Sequence, residues 1–211
     1  AANKLLAADQ NNSYAFNNAV NAFEKAKADY ADMEAFLNSD NLFTPVTNEA
    51  TLAAGKQYIV VAAKSGMAMS RLNGEDLPTR YRLSTKVTME KGLVETSCAV
   101  AEGDEAPYMV ALESAGEGLW MLKDVVYGKY LLWEEKRSLD LTNDKAKASV
   151  FEITINADGE AVIKLAGENR TIRYGAEDGR FACYATGQEA VKLYEDATAN
   201  EYFVAYAQLF N

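Results

Sequence analysis

The amino-acid sequence predicts a mainly β domain of three four-stranded units, with an insertion in the first unit and helical segments at both ends. Three observations predict it. The apolar period changes from helical to strand-like near Gly55, the strand region repeats itself, and apolar stripes at helical spacing precede and follow it.

Residues 13–38 hold the clearest helical pattern. Phe16, Ala19, Phe23, Ala26, Tyr30, Met33 and Leu37 recur in steps of three and four, which on a helix forms one stripe. Asn18, Asn21, Glu24, Lys25, Asp29 and Asp32 fall on the other side, with Lys25 and Asp29 one turn apart. The stripe is expected to pack on its own domain; because it recurs every seven residues, self-association through a short coiled coil is the alternative. Residues 3–8 read as a separate helical turn, set off by the polar run Asp9, Gln10, Asn11 and Asn12. This N-terminal helical segment is assigned residues 1–50.

After Gly55, short apolar runs at 58–61, 81–89, 93–98, 108–112 and 119–122 alternate with Gly, Asn and Asp turns, as strands do. Asp158 and Gly159 lie between apolar runs at 151–155 and 161–165 and read as a hairpin turn, because both residue types tolerate positive φ. Shifting the chain by 41 positions places Val110 on Phe151, Leu112 on Ile153, Gly118 on Gly159, Leu122 on Ile163, Leu131 on Ile172 and Trp133 on Tyr174. A backward shift of 62 places Trp120 on Tyr58, Leu122 on Val60, Gly128 on Gly66 and Leu131 on Met69. The difference leaves about 21 extra residues in the first unit, between Arg71 and Tyr108.

Three units of a four-strand pattern resemble a β-trefoil over roughly residues 55–195. The resemblance implies a closed barrel capped by hairpins, which removes the edge strands that invite aggregation. It sets the β-trefoil-like domain at 51–196. The run from Gly179 to Tyr184 (Gly-Arg-Phe-Ala-Cys-Tyr), followed by Val191, Lys192, Leu193 and Tyr194, is also similar to the end of trefoil-like modules in secreted proteins of gut Bacteroidetes. That likeness implies an extracellular or cell-surface setting. Beginning at Ala1 and ending on Leu209, Phe210 and Asn211, the chain reads as a processed or excised piece of a larger protein. Beyond Glu195, Thr198 and Glu201 stand in capping-box spacing, and Phe203, Tyr206, Ala207 and Phe210 continue a helical stripe. They predict a short C-terminal helix over 197–211 that packs on the N-terminal one.

The chain has 31 acidic and 21 basic residues, a net charge of −10. Binding a nucleic-acid backbone requires clustered Lys and Arg, so nucleic acid is not an expected partner. No apolar run approaches the ~20 residues that span a bilayer as a helix. Membrane insertion is not expected.

The sequence contains no His. Ser-His-Asp and Cys-His mechanisms, imidazole acid–base catalysis and His-containing zinc sites therefore drop out. Cys98 and Cys183 permit one disulfide, but they read more simply as buried thiols. Glu134 and Glu135 are candidate carboxylates beside Trp133, yet neighbours on one strand point to opposite faces and cannot form a facing pair. Asn156, Asp158 and Glu160, and separately Glu102, Asp104 and Glu105, supply oxygen ligands without meeting the spacing of a calcium loop. Gly116, Glu117 and Gly118 lack the later Gly and Lys of a phosphate loop. Asn11-Asn12-Ser13 and Asn169-Arg170-Thr171 fit the glycosylation triplet. No cofactor, metal or catalytic residue is expected.

Trp120, Tyr127, Tyr130 and Trp133 crowd the middle unit. Repeated aromatic positions mostly fill a core, but rings beside acceptors also suit sugars. The Gln-x-Trp that usually marks trefoil lectins is absent. The expected function is a non-catalytic recognition module for a glycan or a protein, and the ligand-binding candidates are Tyr127, Tyr130, Trp133 and Glu134. A structural spacer, or an inhibitory or accessory domain presenting the insertion around Gly103 and Pro107, are the alternatives.

Overall fold

A computed structural model of the chain describes residues 2–37, 39, 41–74 and 79–197, with the helical side chains of 12–32. The chain divides into two units between Ser39 and Asp40. Strand residues begin at Leu42, so residues 42–50, expected to belong with the helical segment, are part of the β unit.

The first unit is one helix, α1 (Ala2–Leu37). The break expected at Asp9 to Asn12 does not occur. Asp, Gln and Asn each cost a helix under about 0.7 kcal/mol, and no Gly or Pro is present to stop it. Lys25 and Asp29 form the expected pair at 2.8 Å. Along the stripe, Phe16 is 69% exposed, Phe23 67% and Tyr30 53%, and the segment expected to pack on it lies outside the described residues. Among the described residues, no helix is long and apolar enough to cross a membrane.

The β unit opens with β1 (Leu42–Pro45) and then runs through three repeats. The first holds β2 (Gln57–Ala62), β3 (Met67–Leu72) and β4 (Arg82–Lys86), the inserted β5 (Thr88–Glu90) and β6 (Leu93–Glu95), and β7 (Val110–Gly116). The second holds β8 (Leu119–Asp124), β9 (Tyr130–Leu132), β10 (Asp140–Thr142) and β11 (Val150–Ile155). The third holds β12 (Ala161–Leu165), β13 (Thr171–Gly175), β14 (Arg180–Tyr184) and β15 (Lys192–Asp196).

Six of these strands close a ring. β2 pairs with β7, β7 with β8, β8 with β11 and β11 with β12, all antiparallel. The Ala161 N–H then donates to the Val191 carbonyl at 2.7 Å, and β15 pairs with β2 to close the circle. Between the two ring strands of each repeat stands a hairpin: β3–β4, β9–β10 or β13–β14. This is a β-trefoil-like arrangement. The hairpins also meet one another, since β14 pairs with β4 and the Leu139 N–H donates to the Arg80 carbonyl at 2.8 Å.

The sequence repeat is a packing repeat. Val110 and Phe151, Leu112 and Ile153, Leu122 and Ile163, and Leu131 and Ile172 are buried in one core with Tyr58, Val60 and Met69. Each such side chain contributes roughly 1.5–3 kcal/mol when fully buried. The equivalent glycines Gly118 and Gly159 take φ of +68° and +71° at the turns that join one repeat to the next. At the second of these turns only Gly159 uses positive φ, whereas Asp158 does not. Its register is held by Asn156, whose Oδ1 accepts from the N–H groups of Asp158 and Glu160 at 3.0 and 2.9 Å.

The insertion is a second layer. β6 pairs with β1 and with β5, and β1 pairs with β15. Phe43, Val87 and Val94 thereby cover Ile59, Val61, Ala68 and Tyr194 on the outer side of the ring. This explains the unbroken apolar run of β2: alternate residues enter two different cores. The thiols divide the same way, Cys183 in the ring core and Cys98 against the second cluster, and both are free. The predicted C-terminal helix and its packing on α1 lie outside the described residues.

Candidate functional site: a charged groove between two hairpins

Arg82 on β4 and Asp124 at the end of β8 are both completely buried, with Nη2 2.5 Å from Oδ2. Burial of a charge is tolerated only when it is paired and hydrogen-bonded. Here Arg82 Nε also donates to the Ser70 carbonyl at 2.7 Å, and Asp124 Oδ1 accepts from the Tyr127 N–H at 2.8 Å. The guanidinium lies 5.6 Å from the ring centre of Tyr108 and 5.7 Å from that of Tyr127. This ion pair therefore orders the turn between β8 and β9 and fixes the position of Tyr127.

From this floor, hydrogen bonds build the walls. The Tyr127 hydroxyl accepts from the Leu72 N–H at 3.3 Å, tying the turn to the end of β3. The Tyr108 hydroxyl accepts from the Gly103 N–H at 2.9 Å and donates to the Ala101 carbonyl at 3.2 Å, which fastens the inserted loop. Asn73 donates to the Thr79 carbonyl and accepts from the Tyr81 N–H, closing the base of the β3–β4 connection. Burial raises the pKa of both phenols, and the Glu102 charge adds to the effect at Tyr127, so both hydroxyls stay protonated at neutral pH.

The walls enclose a groove of about 350 Å³. Arg71, Leu72 and Arg80 come from the first hairpin, Glu102 and Gly103 from the insertion, Tyr127 and Lys129 from the β8–β9 turn, and Asp140 from β10. Arg80 Nε stands 3.9 Å from Asp140 Oδ1, and that oxygen accepts the Leu141 N–H at 2.8 Å. Among the described residues, the lining contains charged groups, the Asn73 amide and the Tyr127 ring, with no Ser, Thr or Cys. It is equipped to bind through charge and hydrogen bonds.

Of the four candidates from the sequence, only Tyr127 lines this groove. The structure gives the other three different neighbours. Tyr130 is 9% exposed and donates to both Glu113 carboxylate oxygens at 3.0 Å, while Lys145 reaches Glu113 at 2.6 Å. The Lys145 hydrogen bond, opposed by burial and helped by Tyr130, lowers the Glu113 pKa. Trp133 packs against the ring core, its backbone N–H donates to Ser149 Oγ at 2.7 Å and its Nε1–H donates to the Lys136 carbonyl at 3.2 Å. Glu134 is exposed, and its N–H donates to Ser138 Oγ at 3.0 Å. β9 ends at Leu132, so Trp133 and Glu134 lie in the loop that follows it and do not extend the strand carrying Tyr130.

The oxygen-rich triplets are spent on structure or apart. Asn156 Oδ1 serves the turn as described, Glu160 accepts from Asn156 Nδ2 at 3.0 Å, and Lys192 Nζ donates to the Asp158 carbonyl at 2.6 Å. Glu102 enters the groove, and the Glu105 carbonyl accepts from Thr85 Oγ1 at 2.7 Å. Of the insertion, Pro107 is buried and residues 100–105 are exposed, with Gly103 pinned by Tyr108. Arg71, Arg80, Lys129 and Asp140, which line the groove, were not singled out by the sequence. They come from separate segments with no common spacing, so only the pairing of the hairpins reveals them.

No family model and no curated protein matches the sequence. Among solved structures, the chain is similar in fold to part of a GH43 β-1,3-galactosidase, with a TM-score of 0.50 and 12% identity over 76% of this chain and 30% of that one. The chain thus spans about three-tenths of that galactosidase chain. A second match is to BEL, a β-trefoil in its apo form, with a TM-score of 0.47 and 15% identity over 70% of this chain and 98% of that one.

Proposed function

We propose that this chain is a non-catalytic glycan-recognition module of a secreted or cell-surface protein, and that its contact site is the groove floored by Arg82 and Asp124. The observation that carries the reading is the lining: an immobilised Tyr127 ring beside Arg71, Arg80, Lys129, Glu102 and Asp140. Sugar hydroxyls are both donors and acceptors, and a fixed ring with charged partners serves their faces and edges together. The absence of His from the sequence, together with an Asp140 carboxylate already accepting the Leu141 N–H and lying beside Arg80, supports binding without turnover. The fold's likeness to part of a protein named as a galactosidase supplies a glycan context, and none of that protein's chemistry. A glycan array probed with the purified chain and with Tyr127→Ala tests the reading. A hit that disappears in a folded variant supports it; a blank array from folded protein overturns it.

A second reading, assembly through a second copy of the chain, is favoured by the exposed Phe16, Phe23 and Tyr30 at seven-residue spacing. Such a recurrence is what a coiled-coil seam requires. Light scattering on a size-exclusion column distinguishes a concentration-dependent dimer, lost in Phe23→Asp, from a monomer that would exclude this reading.

A further inference from the structure

The charge of the groove runs against the charge of the molecule. The chain carries a net −10, yet among the described residues the groove presents Arg71, Arg80 and Lys129 beside the carboxylates Glu102 and Asp140. Among the described residues, one of those carboxylates is already engaged, because Asp140 accepts the Leu141 N–H and lies beside Arg80. The contact to Arg80, at 3.9 Å, is too long for a hydrogen bond. Arg80 Nε is buried without an acceptor. Arg82 Nη1 and the Tyr58 hydroxyl are also buried without a partner, but of the three groups only Arg80 belongs to the groove lining, where its side chain keeps 22% exposure and can meet an acceptor. Arg71 and Lys129 form no ion pair among the described residues, whereas their neighbours at the groove, Arg80 and Arg82, each have a carboxylate within 4.0 Å.

Resting on the glycan reading above, we propose that the groove selects saccharides bearing an anionic group, a uronate carboxylate or a sulfate, held by Arg71, Arg80 and Lys129 while Tyr127 meets the sugar ring. Arginine offers a planar fork that takes two oxygens of such a group at once, and lysine adds a point charge. The net charge of −10 disfavours anions overall, so an anion is held best where cations gather. The two anionic groups share this chemistry, and the binding arms tell them apart.

The experiment is a titration of the whole chain with uronate-containing and sulfated oligosaccharides, each beside its carboxyl-reduced or desulfated counterpart. It is repeated with Arg71→Gln, Lys129→Gln and, as a charge-matched control away from the groove, Lys86→Gln. The expected result is binding of one anionic class, about tenfold weaker for its neutral counterpart and about tenfold weaker in either groove variant, with no change in Lys86→Gln. Affinity falls as salt is raised. Melting curves of the variants verify folding, and since Arg71 and Lys129 make no side-chain bonds among the described residues, their loss is tolerated. Equal binding of neutral and anionic forms, or anionic binding untouched in both groove variants, overturns the charge selection while the glycan reading stands. Folded protein that binds no saccharide overturns both.

Discussion

Arg82 and Asp124 face each other with no exposed surface on either, at the point where the first hairpin meets the β8–β9 turn. A buried pair of this kind adds little net stability over an apolar pair, but breaking it strands a charge in the interior. Arg82→Ala is therefore expected to cost about 3–5 kcal/mol in urea denaturation, and Arg82→Met with Asp124→Leu to recover most of that loss. A cost below about 1 kcal/mol for the single variant would show that water reaches the site.

The Glu113 carboxylate supplies a pH-dependent contribution. Its pKa is lowered by the Lys145 hydrogen bond and then by Tyr130, against the opposing effect of burial. A lowered folded pKa means that its stabilisation is complete above the ordinary carboxylate value of about 4.3 and fades as pH falls through the lowered one. At neutral pH, Glu113→Gln is expected to lower Tm. That difference should shrink steadily once the solution is more acidic than about pH 4. A pH-independent gap between the two melting curves would contradict the assignment.

Gly175 on β13 has no space for a side chain. A Cβ there would stand 2.6 Å from the Tyr184 hydroxyl and 3.3 Å from Cζ of the same ring, which is 2% exposed and cannot swing aside. Gly175→Ala is expected to destabilise the fold by about 1–3 kcal/mol. The additional substitution Tyr184→Phe, which removes the hydroxyl, should restore part of it. Equal melting of Gly175→Ala and the parent chain would show that the hairpin adjusts freely.

Burial pushes the Cys98 thiol up to about 11 and that of Cys183 up to about 12. The thiolate is the reactive form, so both groups should react slowly with a thiol-specific dye at pH 8. Denaturant should release two reactive thiols per chain. Recovery of none would mean that a disulfide joins them.

Much of the fold was readable because it is written in periods. The shift of 41 residues brings together side chains that occupy equivalent places in the ring core, such as Leu112 and Ile153, and the insertion announces itself as the difference between two shifts. The helix was only partly readable: polar residues at 9–12 look like punctuation, but without Gly or Pro a helix runs through them. The groove was hardly readable at all. Tyr127 was noticed for its ring, whereas Arg71, Arg80 and Lys129 look in sequence like any solvated cations. Trp133 misled for a related reason: aromatic clustering in sequence is equally a sign of core, and β9 stops one residue before it.

β2 is a party wall between two chambers. In β11, Glu152 and Thr154 face solvent, and a polar replacement at either place meets water. From Tyr58 to Ala62, β2 has no such side, since every residue is fully enclosed. A change such as Val61→Thr, which a strand elsewhere in this ring would absorb on its wet face, here strands a hydroxyl in an apolar compartment. The added layer has thus converted a peripheral staff of the barrel into a stretch with no wet face, shared by both compartments.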